Sequence, residues 1–188
     1  MTFNGQTWGY VNSVYTEPYS YSAQQILGML QKCVRYGGNL LLNIGPMADG
    51  AIPREVIDPL TRVGKWLGEN GEAVYGVPRS ERSAGGNGLT LSTQKGNTVY
   101  LWFKLWPGCK DMAIGCYLTP PKRVTLLSTG EEIHFEPQDQ RIVFHDLPEQ
   151  SPDPHTGIAV FKMEFEDTPQ YRYATRYPQL HEGERFQI

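Results

Sequence analysis

Carboxylates, imidazoles, thiols and a few aromatic or amide side chains are what this sequence offers for chemistry. A proton donor or acceptor at a reaction centre needs a carboxylate or imidazole that no local structure has claimed. Asp49 is followed by Gly50 and reads as a turn former, because aspartate caps its own backbone and glycine tolerates positive φ. Glu17 precedes Pro18 and reads as solvated, and Glu69 and Glu72 read as the end of a helix. His134, His145, His155 and His181 all lie in the second half or the tail, with no pair at the spacing of a zinc-binding helix, and are expected at surface or strand positions. Cys33, Cys109 and Cys116 make an odd count without a CxxC pair, so they are expected to be packing residues rather than a disulfide framework or metal ligands. Asn43 stands at the end of an apolar run, and a buried amide tying loops together competes there with a functional role.

The elements that must position these residues change character along the chain. From Ser22, residues Ile26, Met29, Leu30, Cys33 and Val34 recur at three- and four-residue spacing, which predicts one apolar helix face. Ser22 and Gln25 have capping-box spacing, and Gly37-Gly38 supplies a stop. Asn39 to Gly45 holds Leu40, Leu41, Leu42 and Ile44 without alternation, as expected for a parallel strand buried on both faces. A second helix is predicted through Leu60, Val63 and Leu67, ending near Asn70-Gly71, with Pro59 as its expected first residue and Asp58 as its cap. Beyond Pro78 the period becomes two, with strands expected over 89–93, 98–106, 123–127, 133–136, 141–145 and 157–166. Frequent glycine and proline turns between them predict an antiparallel sandwich or barrel.

An apolar strand flanked by two helices calls for neighbouring strands to satisfy its backbone, and no second parallel strand is evident. The first part therefore reads as the closing helix-strand-helix of a parallel βα structure, such as an eight-stranded barrel of about 250 residues. The alternative is that this strand joins the following sheet as a mixed edge. Three parts are expected: 1–78 as the end of a βα barrel, 79–168 as an all-β antiparallel sandwich, and 169–188 as a tail or surface arm, with a linker over 78–88.

The chain has 188 residues, 39% hydrophobic and 20% charged, with a net charge of −3, which is ordinary globular usage. It shows no basic footprint for nucleic acid and no apolar run approaching the roughly 20 residues that span a bilayer. No signal peptide is legible at the amino terminus, and the sequence leaves the compartment and the oligomeric state open.

The motif order is distinctive. It runs Thr7-Trp8-Gly9-Tyr10, then Gly37-Gly38-Asn39-Leu40-Leu41-Leu42-Asn43-Ile44-Gly45-Pro46, Ala48-Asp49-Gly50, Ile52-Pro53, Gly64-Lys65-Trp66-Leu67 and Asn70-Gly71-Glu72-Ala73-Val74-Tyr75-Gly76. This series resembles the α-L-fucosidases, the family 29 glycoside hydrolases, at the end of their catalytic barrel. The resemblance implies a retaining exo-hydrolase that removes terminal α-linked L-fucose from glycans or glycoconjugates without a metal or organic cofactor. Such an enzyme needs a nucleophile and an acid/base whose carboxyl groups stand about 5–5.5 Å apart across the glycosidic bond. In the family both lie upstream of the tryptophan-glycine-tyrosine motif, so no catalytic residue is assigned to this chain. Glu17 and Asp49 could approach a barrel rim, yet neither has a good claim. The resemblance implies that Trp8 packs on the apolar face of the sugar, with a core tryptophan as the competing reading. Fucosylated glycans and an absent amino-terminal part of the barrel are the expected partners, and the chain alone is expected to be inactive. The alternative is a carbohydrate-binding or scaffolding sandwich presenting Trp102, Trp106 and Tyr117, although their positions within strands favour core packing.

Overall fold

A computed structural model describes residues 2–3, 7–12, 15, 21–79 and 90–172. The first helix, α1 (Ala23–Arg35), starts on a reciprocal cap. Ser22 Oγ accepts from the Gln25 amide at 3.2 Å, and Gln25 Oε1 accepts from the Ser22 amide at 2.8 Å. It ends as its glycines predict: Gly37 adopts φ +73°, its amide donates to Val34 O, and the Gly38 amide donates to Cys33 O.

The second helix, α2 (Arg54–Asn70), begins five residues before the expected start at Pro59. Pro59 forfeits only the one amide bond that would have reached the Glu55 carbonyl. The first turn is held instead by Pro53 O, which accepts from the Val56 and Ile57 amides, and by complete burial of Val56. The inward face of α2 is Val56, Val63, Trp66 and Asn70, with Leu60 and Leu67 partly buried beside it. A 3-10 turn, Gly71–Ala73, closes this part.

Among the described residues seven strands follow: β1 (Thr90–Lys95), β2 (Thr98–Phe103), β3 (Met112–Gly115), β4 (Arg123–Leu126), β5 (Phe135–Gln138), β6 (Arg141–Phe144) and β7 (Val160–Glu164). They form two antiparallel sheets, ordered β1-β2-β7-β4 and β3-β6-β5. The strand β3 was not legible as such, being four residues long with Ala113 and Gly115 on its outer side, although Met112 and Ile114 alternate inward. Gly96 at φ +57° makes the β1–β2 turn.

Alternation along β2 explains why both its faces are apolar. Val99, Leu101 and Phe103 share one core with Phe161, Met163, Ile142 and Phe144, which joins the two sheets. Tyr100 and Trp102 point the other way, into a second core with Val160, Ile26, Leu27, Val63 and Trp66. The four-stranded sheet is thus covered by the helices on one side and by the smaller sheet on the other. The turn before β7 fastens this arrangement. Asp153 Oδ2 accepts from the Thr156 amide and hydroxyl and from the Gly157 amide at 2.6–2.7 Å, which presents Ile158 O to Trp66 Nε1 at 2.7 Å and His155 O to Arg62 Nε at 2.6 Å.

The expected linker lies mostly outside the described residues, as do Leu89 and residues 173–188 of the tail. The start of that tail is pinned: Leu118 donates to Gln170 O, Arg172 donates to Cys116 O, and Tyr171 Oη donates to Gln94 Oε1 at 2.8 Å.

Candidate functional site

The apolar run Asn39–Gly45 is the spine of the region that carries the motif series. It forms no extended ladder among the described residues, contrary to the expectation of a strand buried on both faces. One parallel bridge joins Asn43 to Thr2, with the Phe3 amide donating to Asn43 O at 2.9 Å, so a short parallel partner does exist at the amino end. Leu41 is 68% exposed, and Leu40, Leu42 and Ile44 are half-buried. A strand is buried on both faces only where neighbours flank it, and two residues are too short a neighbour.

Gly45 brings the tryptophan motif onto this spine. A Cβ at Gly45 would stand 2.4 Å from the Tyr10 nitrogen and 2.6 Å from the Gly9 carbonyl carbon, so only glycine lets the two backbones touch. Asn43 is half-buried rather than buried, and its Nδ2 donates to Trp8 O at 2.5 Å, tying the two segments together. Thr7 Oγ1 donates to Gly9 O at 2.9 Å. With the backbone around it held at two points, Trp8 is 62% exposed. Tyr10 is also exposed.

Among the described residues, the acids singled out from the sequence bond elsewhere. Asp49 Oδ1 accepts from the Ala51 amide at 3.0 Å within a turn closed by Met47 and Ala51, with Gly50 at φ +83°, as its turn chemistry predicts. Glu17 lies outside the described residues. Glu72, on the 3-10 turn, bonds across to the four-stranded sheet: its Oε1 accepts from Tyr100 Oη at 2.7 Å and lies 2.8 Å from Lys162 Nζ. The hydrogen bond from Lys162 lowers the Glu72 pKa, while burial and then the bond to Glu72 raise that of Tyr100.

A lowered folded-state pKa contributes stability above the unfolded value that is lost as pH falls through the folded value. Wild type is therefore expected to be more stable than Glu72→Gln above the ordinary glutamate value of 4.5, and this advantage should shrink below it. Urea melts of both proteins from neutral pH to pH 3 would check this. An advantage that persists unchanged at the acid end would contradict it.

Each described histidine faces a carboxylate. His155 Nε2 is 3.0 Å from Glu69 Oε1, His145 Nδ1 is 2.8 Å from Asp111 Oδ1, and His134 Nδ1 is 3.4 Å from Asp146 Oδ2, while His181 lies outside the described residues. Among the described residues no three His, Cys, Asp or Glu side chains come together as a metal site, and no helix is long and apolar enough to cross a membrane. Cys33 and Cys116 are half-buried, but Cys109 is exposed, a correction to its expected packing role. It sits in the turn between β2 and β3, where Pro107 and Gly108 carry the chain away from the core. Trp102 and Tyr117 are buried, leaving Trp106 half-buried, with Nε1 donating to Pro148 O at 2.8 Å. The bonding of Trp66 to Ile158 and the close contact at Gly45 escaped sequence reasoning. The glycine ending Asn39–Gly45, directly after an apolar run, was the available signal for the second.

Residues 1–72 match the family model described as Alpha-L-fucosidase. Tissue α-L-fucosidase of Mus musculus is 38% identical over 149 residues, and that of Rattus norvegicus 31% over 150; each alignment takes in 78% of this chain and 32% of the relative. The chain thus spans about a third of the length of these curated relatives. Among solved structures, α-L-fucosidase isoenzyme 1 from Paenibacillus thiaminolyticus superposes with a TM-score of 0.73 at 29% identity, covering 89% of this chain and 39% of that one. The Thermotoga maritima α-fucosidase in complex with fucose gives 0.73 at 27% identity, covering 87% and 38%.

Proposed function

This chain is related to the α-L-fucosidases, the family 29 glycoside hydrolases, over their carboxy-terminal portion, and from that premise we propose that it forms the closing part of a retaining exo-α-L-fucosidase. In this reading residues 1–78 complete an eight-stranded βα barrel, 79–168 are the carboxy-terminal sandwich, and 169–188 are an arm. The exposed Leu41 supports it, since an inner barrel strand has its apolar faces covered only when its neighbours are in place. Tyr10, Ile52 and Ile57 are exposed as well.

The observation that carries the proposal is the seating of Thr7–Tyr10 on Gly45, which leaves the Trp8 indole free to lie against a sugar. Its contribution to catalysis is to bury the apolar side of fucose and fix the ring's orientation. The nucleophile and the acid/base belong to the amino-terminal part of the barrel, and no metal or organic cofactor takes part. The substrates are fucosylated glycans or glycoconjugates.

The purified 188-residue chain is accordingly expected to release 4-nitrophenol from 4-nitrophenyl α-L-fucoside no faster than buffer does. Turnover approaching that of a complete relative would place both carboxyl groups within this chain and overturn the assignment.

A further inference from the structure

Where β4 and β6 end and the chain leaves β2, the structure holds a cavity of about 390 Å3. Its base is apolar, built from Trp106, Leu126 and Phe161, and its rim carries Glu131, His134 and Asp146. Trp8, Asn43 and Gly45 do not line it. The base is rigid: the Trp106 ring packs 5.2 Å from Phe103 and 6.1 Å from Phe161, and its N–H is bonded to Pro148 O. On the rim Asp146 adopts φ +57°, which aspartate tolerates better than most side-chain-bearing residues, and lies 3.4 Å from His134 Nδ1.

We propose that this cavity binds a neutral pyranose sugar, as a subsite separate from the Trp8 region. A pyranose has one face of C–H groups and an edge of hydroxyls, which is the division between this base and this rim. The volume lies within the range of pockets that enclose small ligands. Carboxylates accept strongly from sugar hydroxyls, and imidazole can donate or accept. Charge narrows the class. Glu131, Glu132 and Asp146 at the rim repel sulfated sugars and uronic acids. Glu132 is already paired with Arg123 at 2.8 Å, so it does not need a cationic ligand. The inference concerns the sandwich alone and does not rest on the fucosidase assignment.

Its test is titration of the isotope-labelled 188-residue chain with methyl α-L-fucoside, methyl β-D-galactoside and methyl α-D-glucoside, following the indole N–H signals of Trp8, Trp66, Trp102 and Trp106. Glucuronate and galactosamine serve as charged controls. A saturable shift of Trp106 with at least one neutral glycoside, with Trp66 and Trp102 still, is expected. Asp146→Gly, which suits the positive φ and leaves the fold intact, should weaken that binding by about tenfold, the worth of one charge-assisted hydrogen bond. A Trp106 signal that ignores every neutral glycoside, a shift with galactosamine alone, or unchanged affinity in Asp146→Gly would overturn the proposal. A fucoside that moves Trp8 while no neutral glycoside moves Trp106 would overturn it and support the barrel reading.

Discussion

Replacing Trp66 by alanine is expected to lower the free energy of unfolding by about 3–5 kcal/mol, measured by urea denaturation. The side chain is fully buried, and its ring centroid lies 4.8 Å from that of Trp102, where α2 meets the four-stranded sheet. Truncation would open a cavity between two elements that are each held by other contacts and cannot close over it. It would also strand Ile158 O, which accepts the indole N–H, and an unsatisfied buried carbonyl costs about 1–3 kcal/mol. Trp66→Phe separates the two effects, because it keeps most of the apolar volume and removes only the donor. Trp8→Ala is the comparison: an indole this exposed should change stability by no more than about 0.5 kcal/mol. Equal losses from the two alanine variants would mean that the helices do not depend on the sheet as described.

Gly45→Ala should have the second large effect, on the motif region itself. The atoms its Cβ would meet at 2.4–2.8 Å are all backbone of Gly9 and Tyr10, so no side chain can swing aside to make room. The two segments must separate, and the Asn43–Trp8 hydrogen bond goes with them. In a complete enzyme containing this segment, a displacement of about 1 Å in a sugar-orienting residue is expected to lower kcat/KM on an aryl fucoside by about a hundredfold. In the chain itself, amide exchange at Phe3, which donates to Asn43 O, should accelerate. Gly50→Ala provides the control, since its Cβ would meet nothing within 4 Å and only the positive φ would be strained. If Gly45→Ala proves as mild as Gly50→Ala, the close approach is not what holds the motif together.

How legible all this was depended on how local the physics is. The cap at Ser22 and Gln25, the stop at Gly37 and the turn at Asp49-Gly50 follow from interactions within a few residues, and all three appear as expected. The antiparallel strands were legible from alternation, except β3, whose two outward positions carry almost no side chain. The start of α2 was misread because a rule about proline outweighed the burial of Val56, a tertiary contact that spacing alone does not weigh. Among site residues, Trp8 was named through resemblance. The glycine that seats it acts across 35 residues of chain, so its place after an apolar run marks a close approach without naming the partner segment.

The four-stranded sheet with both faces occupied bears on where this chain can be divided. Its Tyr100, Trp102 and Val160 shelter beneath α1 and α2, not beneath other strands. A cut between residues 80 and 89 would therefore put an aromatic surface into water on one product and strip the helices of their floor on the other. The two parts are best regarded as one inheritable unit. Anyone expressing, grafting or shuffling the sandwich should carry both helices along with it.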